Sequence, residues 1–242
     1  MLNNHEYLMA NHLYTFSSDV INIFVMLYDY SGSMSEYTSN IRSANKAFYE
    51  DFSRFEEKGT VAISKARFSS GVDMTAFGPV KDFSTEYFAS GGTRLYHAIK
   101  EVGDETIAYY DEIISRLNVR PRITFLVFSD GRDNDNYSSE IEEAKDMIAR
   151  LNSLNATTVF VAFGEAIEIK DGELLGFSCI RDITSAKELV SCLGTELSRS
   201  CIEQSKSAFA LKSRFFSKAA TDASNGNTPE VKKVVADSFF DV

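Results

Sequence analysis

The stretch Asp29-Tyr30-Ser31-Gly32-Ser33 places a carboxylate and two hydroxyls at alternate positions. Oxygen groups at every second position of a tight turn converge on one point. A small hard cation such as Mg²⁺ wants oxygen ligands of this kind. Gly32 between the serines is expected to let the backbone turn sharply. A plainer reading is a Ser/Gly turn whose aspartate caps the following helix. A third makes Asp29 the nucleophile of a Mg²⁺-dependent phosphatase-like hydrolase. Such an enzyme wants a second acid two residues on to protonate the leaving group. Ser31 stands there instead, and no Gly-x-Ser-x-Gly elbow, Walker loop or Gly-x-Gly-x-x-Gly turn is present. The expectation is therefore a non-enzymatic site.

The elements that must position these groups are readable around them. Val20 to Tyr28 is an apolar, β-branched run, too short to span a bilayer, and reads as a strand buried on both faces. Ile123 to Phe128 repeats the design and ends in Ser129-Asp130-Gly131. Ser90-Gly91-Gly92-Thr93 brings a flexible backbone and a hydroxyl to the start of a helix, where Thr93 has the alternative role of N-cap. Three separated segments thus carry oxygen ligands to the carboxyl edge of one sheet, where open α/β sheets bind their ligands.

The remaining chain fits that sheet. Ile41, Ala44, Phe48, Phe52 and Phe55 have helical spacing, and Gly59 reads as the helix stop. Val61–Phe68 and Val72–Val80 predict an antiparallel hairpin, with Gly78-Pro79 favouring an edge. Leu95, Ala98, Ile99, Val102, Thr106, Tyr110, Ile113 and Leu117 form one stripe of a helix ended by Pro121. Ser139 and Glu142 read as a capping box for a helix carrying Ile141, Ala144, Ile148 and Leu151. Thr157–Phe163 is a strand, residues 165–175 a loop or short helix, and Phe177–Ile183 a last strand. Ser185 and Glu188 cap a final helix through Leu189, Leu193 and Leu197. The fold class is α/β, a doubly wound and mostly parallel sheet with one antiparallel edge strand and helices on both faces. The expected division is an N-terminal arm at 1–18, the α/β domain at 19–202 and a C-terminal helical extension or tail at 203–242.

A formal charge of −10 over 242 residues argues against a nucleic-acid surface and against anionic lipid. Hydrophobic residues make up 44% and Phe alone numbers 19, ample for a core. The cysteines, at 179, 192 and 201, are odd in number and fit neither a disulfide framework nor a zinc site. They read as reduced and structural, which points to a cytoplasmic setting. No signal peptide or membrane span is visible. His5, His12 and His97 read as surface or packing residues rather than ligands or bases.

With these residues in place the chain resembles the von Willebrand factor A (vWA) domain family over roughly residues 20–200. Asp29, Ser31 and Ser33 match its Asp-x-Ser-x-Ser motif, Thr93 its central threonine and Asp130 its second aspartate. Together they look like a complete metal-ion-dependent adhesion site (MIDAS). The resemblance implies Mg²⁺ (or Mn²⁺) held directly by Ser31, Ser33 and Thr93, and partly through water by Asp29 and Asp130. It implies a protein partner that supplies a Glu or Asp to the open position. Among stand-alone prokaryotic members the analogy extends to adaptors beside AAA+ ATPases, or beside kinase and phosphatase partners, in stress and defence systems. An extracellular adhesin fragment is the competing setting. Arg94, Arg132, Asp133 and Asp135 are expected to rim the site, with a second cation at Asp133/Asp135 conceivable although no Ca²⁺-loop spacing is met.

Overall fold

The computed structural model of the protein describes residues 21–55, 61–130, 138–163, 169–183 and 188. The arm at 1–18, the last helix with Cys192 and Cys201, and the extension at 203–242 lie outside the described residues. Six strands form one sheet in the order β3-β2-β1-β4-β5-β6. They are β1 (Asn22–Asp29), β2 (Val61–Phe68), β3 (Val72–Met74), β4 (Arg122–Ser129), β5 (Thr157–Phe163) and β6 (Cys179–Ile183). Every pairing is parallel except β2 with β3. The mostly parallel sheet with an antiparallel edge strand is as expected. The helices are α1 (Thr38–Phe55), α2 (Leu95–Leu117), α3 (Ser138–Ser153) and α4 (Ile169–Leu175), with a 3-10 turn at Gly32–Tyr37.

β1 is buried along its whole length, because period-two alternation sends its side chains into two different cores. Ile23, Val25 and Leu27 face the core shared with Ile99 and Val102 of α2 and Ile148 and Leu151 of α3. Phe24, Met26 and Tyr28 face the other, with Ile41, Phe48 and Phe52 of α1. On that side Phe24 meets Phe52 edge to face at 5.2 Å, and Tyr28 stacks on Phe128 at 4.7 Å. β1 crosses to β2 on one side and has β4 on the other. The strand order therefore reverses at the β1/β4 pair, and a crevice opens at their carboxyl ends.

The structure departs from expectation at element ends. β3 stops at Met74 instead of running to Val80. Thr75 takes over the ladder with its side chain: its Oγ1 accepts the Lys65 N–H at 3.0 Å, and its carbonyl accepts the Ser64 hydroxyl at 2.6 Å. Pro79 has no N–H to pair and leads into a 3-10 turn, leaving an isolated bridge between Ile63 and Gly78. α2 ends not at Pro121 but at Asn118, which adopts φ 54° and returns its N–H to the Ile114 carbonyl at 2.9 Å. α3 starts at Ser138, so Ser139 lies inside its first turn, and Glu142 accepts from Lys145 at 2.8 Å. The last strand begins at Cys179 because Ser178 exchanges side-chain hydrogen bonds with Thr158. Residues 169–175 resolve the loop-or-helix alternative as helix α4.

Where α2 crosses α3, Gly103 has no room for a side chain: a Cβ there would lie 2.3 Å from Met147 Cγ and 2.4 Å from its Sδ. Gly103→Ala is expected to destabilise by about 1–3 kcal/mol despite alanine's better helix propensity, read as a lower urea midpoint. In a Met147→Ala background the same change is expected to reverse sign and stabilise. An additive double mutant would refute the clash.

Candidate metal centre

β1 delivers Asp29 to the crevice with no solvent exposure at all. Its Oδ1 accepts the Ser31 N–H at 2.8 Å, and its Oδ2 accepts the Ser129 hydroxyl at 2.7 Å. Its backbone carbonyl accepts the Tyr87 hydroxyl. Burial pushes the Asp29 carboxyl up to about 6; the bonds from Ser31 and Ser129 pull it back, and the neighbouring Asp130 charge pushes it further up. A carboxylate is thus held dry beside a second one.

Ser31 and Ser33 follow on the 3-10 turn with their hydroxyl oxygens 3.0 Å apart. Ser31 is buried and Ser33 exposed. Thr93 and Asp130 are buried, at 3% and 8% exposure. Thr93 arrives on a segment laced to the turn: Gly32 donates to the Gly91 carbonyl at 3.0 Å, and Ser90 donates to the Tyr30 carbonyl at 2.6 Å. Gly92 N–H donates to Ser70 Oγ at 3.0 Å, tying the segment to the β2–β3 turn as well. The glycine whose freedom matters is Gly91, at φ 90°. Gly32 is not in the left-handed region and would accept a Cβ at 3.5 Å from the Gly91 oxygen, so the sharp turn expected of it is made without special glycine geometry. Thr93 is not the N-cap of α2; Arg94 holds that position. Arg94 Nη2 instead donates to Glu140 Oε1 at 2.8 Å, joining the residue after Thr93 to the first turn of α3. His97 pairs with Glu101 at 3.2 Å on the face of α2, in keeping with a flank role. Arg132, Asp133 and Asp135 lie outside the described residues, as does Gly131.

Three residues that support the site were not assigned to it from sequence. Ser129 and Tyr87 hold Asp29, as described. Lys65 is the third. Its ammonium lies over the rings of Tyr28, Tyr30 and Phe83 at 5.2, 5.9 and 5.5 Å. It donates to the carbonyls of Ser84, at 3.0 Å, and of Glu86. Burial lowers its pKa to about 8. This cation fastens the segment that carries Tyr87 to the sheet. Only Ser129 was visible beforehand, as the residue preceding Asp130.

The donor set fits a hard divalent ion. Octahedral Mg²⁺ holds oxygens at about 2.1 Å, so two ligands at right angles lie about 3.0 Å apart. The Ser31–Ser33 spacing matches that edge. Two carboxylates balance a divalent charge, which removes the repulsion between Asp29 and Asp130. Among the described residues no three His, Cys, Asp or Glu side chains cluster.

Comparison with solved structures finds this architecture elsewhere. The pilus adhesin SpaC from Lactobacillus rhamnosus GG, in its open conformation, is similar with a TM-score of 0.59 and 13% identity, over 78% of this chain and 31% of that chain. A von Willebrand factor type A protein from Catenulispora acidiphila gives 0.54 and 17% over 77% and 43%. Proximal thread matrix protein 1 from the mussel byssus, with a zinc-occupied MIDAS motif, gives 0.53 and 12% over 75% and 46%. No family model and no curated protein matches the sequence. At such identities the likeness is one of fold, and the fold is that of vWA domains. The chain spans about a third to a half of the length of these structures.

The buried carboxylate makes a pH prediction for metal-free protein. Asp29 binds its proton more tightly when folded (about 6) than at its ordinary value of 3.8. Its contribution is therefore favourable at low pH and is lost as pH rises from about 4 through 6, by at most ~3 kcal/mol. Asp29→Asn, which can still accept from Ser31 and can donate to Ser129 Oγ, is expected to be more stable than the parent at pH 7 in EDTA. It should also flatten the urea midpoint between pH 4 and 6.5. A variant less stable at pH 7 would refute the cost of the buried charge.

Proposed function

We propose that this domain is a metal-dependent protein-interaction module. Ser31, Ser33 and Thr93 would hold Mg²⁺ or Mn²⁺ directly, with Asp29 and Asp130 partly through water. The ion supplies an electrophilic open position that a Glu or Asp of a partner protein can fill. The observation that carries this reading is the 3.0 Å hydroxyl pair beside a carboxylate buried against a second carboxylate. The chain's own residues shape the rest: Asp29, Ser31 and Thr93 form a dry floor, while Ser33 lies at an exposed mouth. The reading is that of a binder rather than an enzyme. The proposed setting is an intracellular adaptor or regulator, with an AAA+ ATPase, a kinase or a phosphatase as partner. No helix among the described residues is long and apolar enough to cross a membrane. An adhesin is the second reading, favoured by the likeness to a pilus adhesin.

Thermal melting tests the ion. At ten times its dissociation constant Mg²⁺ contributes about 1.4 kcal/mol, expected to raise Tm by roughly 3–6 °C for a domain of this size. EDTA should reverse the rise, and Asp29→Ala should abolish it while leaving a cooperative melt. Capture of the partner should be lost in the same variant, and p-nitrophenyl phosphate should not be turned over. A Tm unmoved by either cation, or capture unchanged in Asp29→Ala, would sink the reading; turnover lost with Asp29 would replace it by the hydrolase.

A further inference from the structure

Phe88 and Leu174 are the exposed large apolar side chains among the described residues, and Phe88 stands beside the candidate metal centre. It lies two residues before Ser90, whose N–H binds the Tyr30 carbonyl at 2.6 Å. Its ring meets the Tyr30 ring edge to face at 5.3 Å. Tyr30 itself sits between Asp29 and Ser31 in the chain, so the aromatic pair adjoins the turn that carries the oxygen cluster. The Arg67 guanidinium lies over both rings, 5.4 Å from Phe88 and 5.9 Å from Tyr30. It is held there by Asp73, which accepts from Arg67 Nε at 2.8 Å and lies 2.6 Å from Nη2.

The patch is built rather than incidental. The Tyr30 hydroxyl donates to the Glu86 carbonyl at 3.0 Å, and Lys65 holds the carbonyls of Ser84 and Glu86 from below. The segment is thereby fastened before Tyr87, and after it by the Ser90 N–H, yet Phe88 remains 51% exposed. An aromatic side chain fixed in the open loses little entropy when a partner covers it, which is the usual make-up of an interface hot spot. The guanidinium offers a flat cationic face, which favours the π-face of another ring. The open metal position next to it favours a carboxylate.

We infer that the partner segment carries an aromatic side chain within about four residues of its metal-seeking carboxylate, and that this ring packs on Phe88 and the Arg67 guanidinium. This rests on the metal-dependent reading above and names the chemistry of its partner. Four residues of extended chain reach about 13 Å, and the Phe88 ring lies 5.3 Å from that of Tyr30, itself one residue from both Asp29 and Ser31.

The test is selection of a random twelve-residue peptide library, displayed on phage, against the full chain in Mg²⁺. The parent is expected to enrich peptides with Asp or Glu and a Phe, Tyr or Trp no more than four residues away. Phe88→Ala should lose the aromatic preference, and a synthetic peptide of the winning sequence should bind that variant at least tenfold more weakly. Arg67→Lys, which keeps the charge but not the flat face, should weaken it severalfold. Acidic peptides without an aromatic preference would overturn this inference and leave the metal reading standing. Loss of the acid preference, with EDTA making no difference, would overturn both. Enrichment that emerges only after Phe239 and Phe240 are both changed to Ser would assign the patch to the chain's own last residues and overturn the partner proposed here.

Discussion

A carboxylate closed off from water ends the central strand, and the groups around it are arranged to tolerate it. Desolvating Asp29 is costly, and Asp130 adds repulsion. Two donors, the Ser31 N–H and the Ser129 hydroxyl, offset part of that cost, one from the turn after β1 and one from the end of β4. Each donor also fixes geometry. The Ser31 bond bends the chain directly after the strand, and the Ser129 bond locks the carboxyl ends of β1 and β4 together. The same residue therefore sets the electrostatics of the site and the registration of the strands that frame it.

The frame explains why so few elements suffice. β1 and β4 are the strands between which the sheet order reverses, so helices leave them toward opposite faces and, among the described residues, no helix roofs their ends. The segment from Phe83 to Arg94 closes one side of that gap. It carries almost no regular structure, yet its carbonyls and amides are satisfied by specific groups: Lys65 for Ser84 and Glu86, Tyr30 and Gly32 for Ser90 and Gly91, Ser70 for Gly92. A loop tied at that many points behaves as part of the scaffold. Thr93 can be placed accurately at its end, although no strand leads into it.

The parts of this arrangement legible in the sequence are those that local chemistry writes locally. Asp29, Ser31 and Ser33 fall within five residues, and two apolar runs that each stop at an aspartate announce their strands. Thr93 and Asp130 were placed through topology, since a parallel sheet brings every strand's carboxyl end to one edge. Tyr87 and Lys65 carried no such signal, and Ser129 was visible only as the residue preceding Asp130. Their partners are distant in sequence and are chosen by packing, and Lys65 sits in a run that reads equally well as an edge strand with a solvated lysine. Element ends were misjudged where a side chain replaced a backbone group, as Thr75 does for β3, or where a left-handed residue closed a helix ahead of a proline, as Asn118 does for α2. Periodicity reports which face is buried; it does not report which hydroxyl will substitute for an amide.

The distribution of burial across the site has a consequence for how a ligand would be selected. Asp29, Ser31 and Thr93 are buried, Ser33 and Phe88 are exposed and Arg67 is half-buried. Groups on the floor meet an ion under low dielectric, where charge balance dominates and a second anion is tolerated only if the ion is divalent. Groups at the mouth meet a partner at higher dielectric, where a single ion pair contributes little and shape with apolar area contributes more. A surface divided in this way separates two tasks. On the proposed reading the oxygen cluster would hold a carboxylate, and the aromatic and guanidinium faces near it would select among carboxylates. A formal charge of −10 gives such a division its use, because long-range attraction would not draw an acidic partner to the chain and discrimination would come from contact.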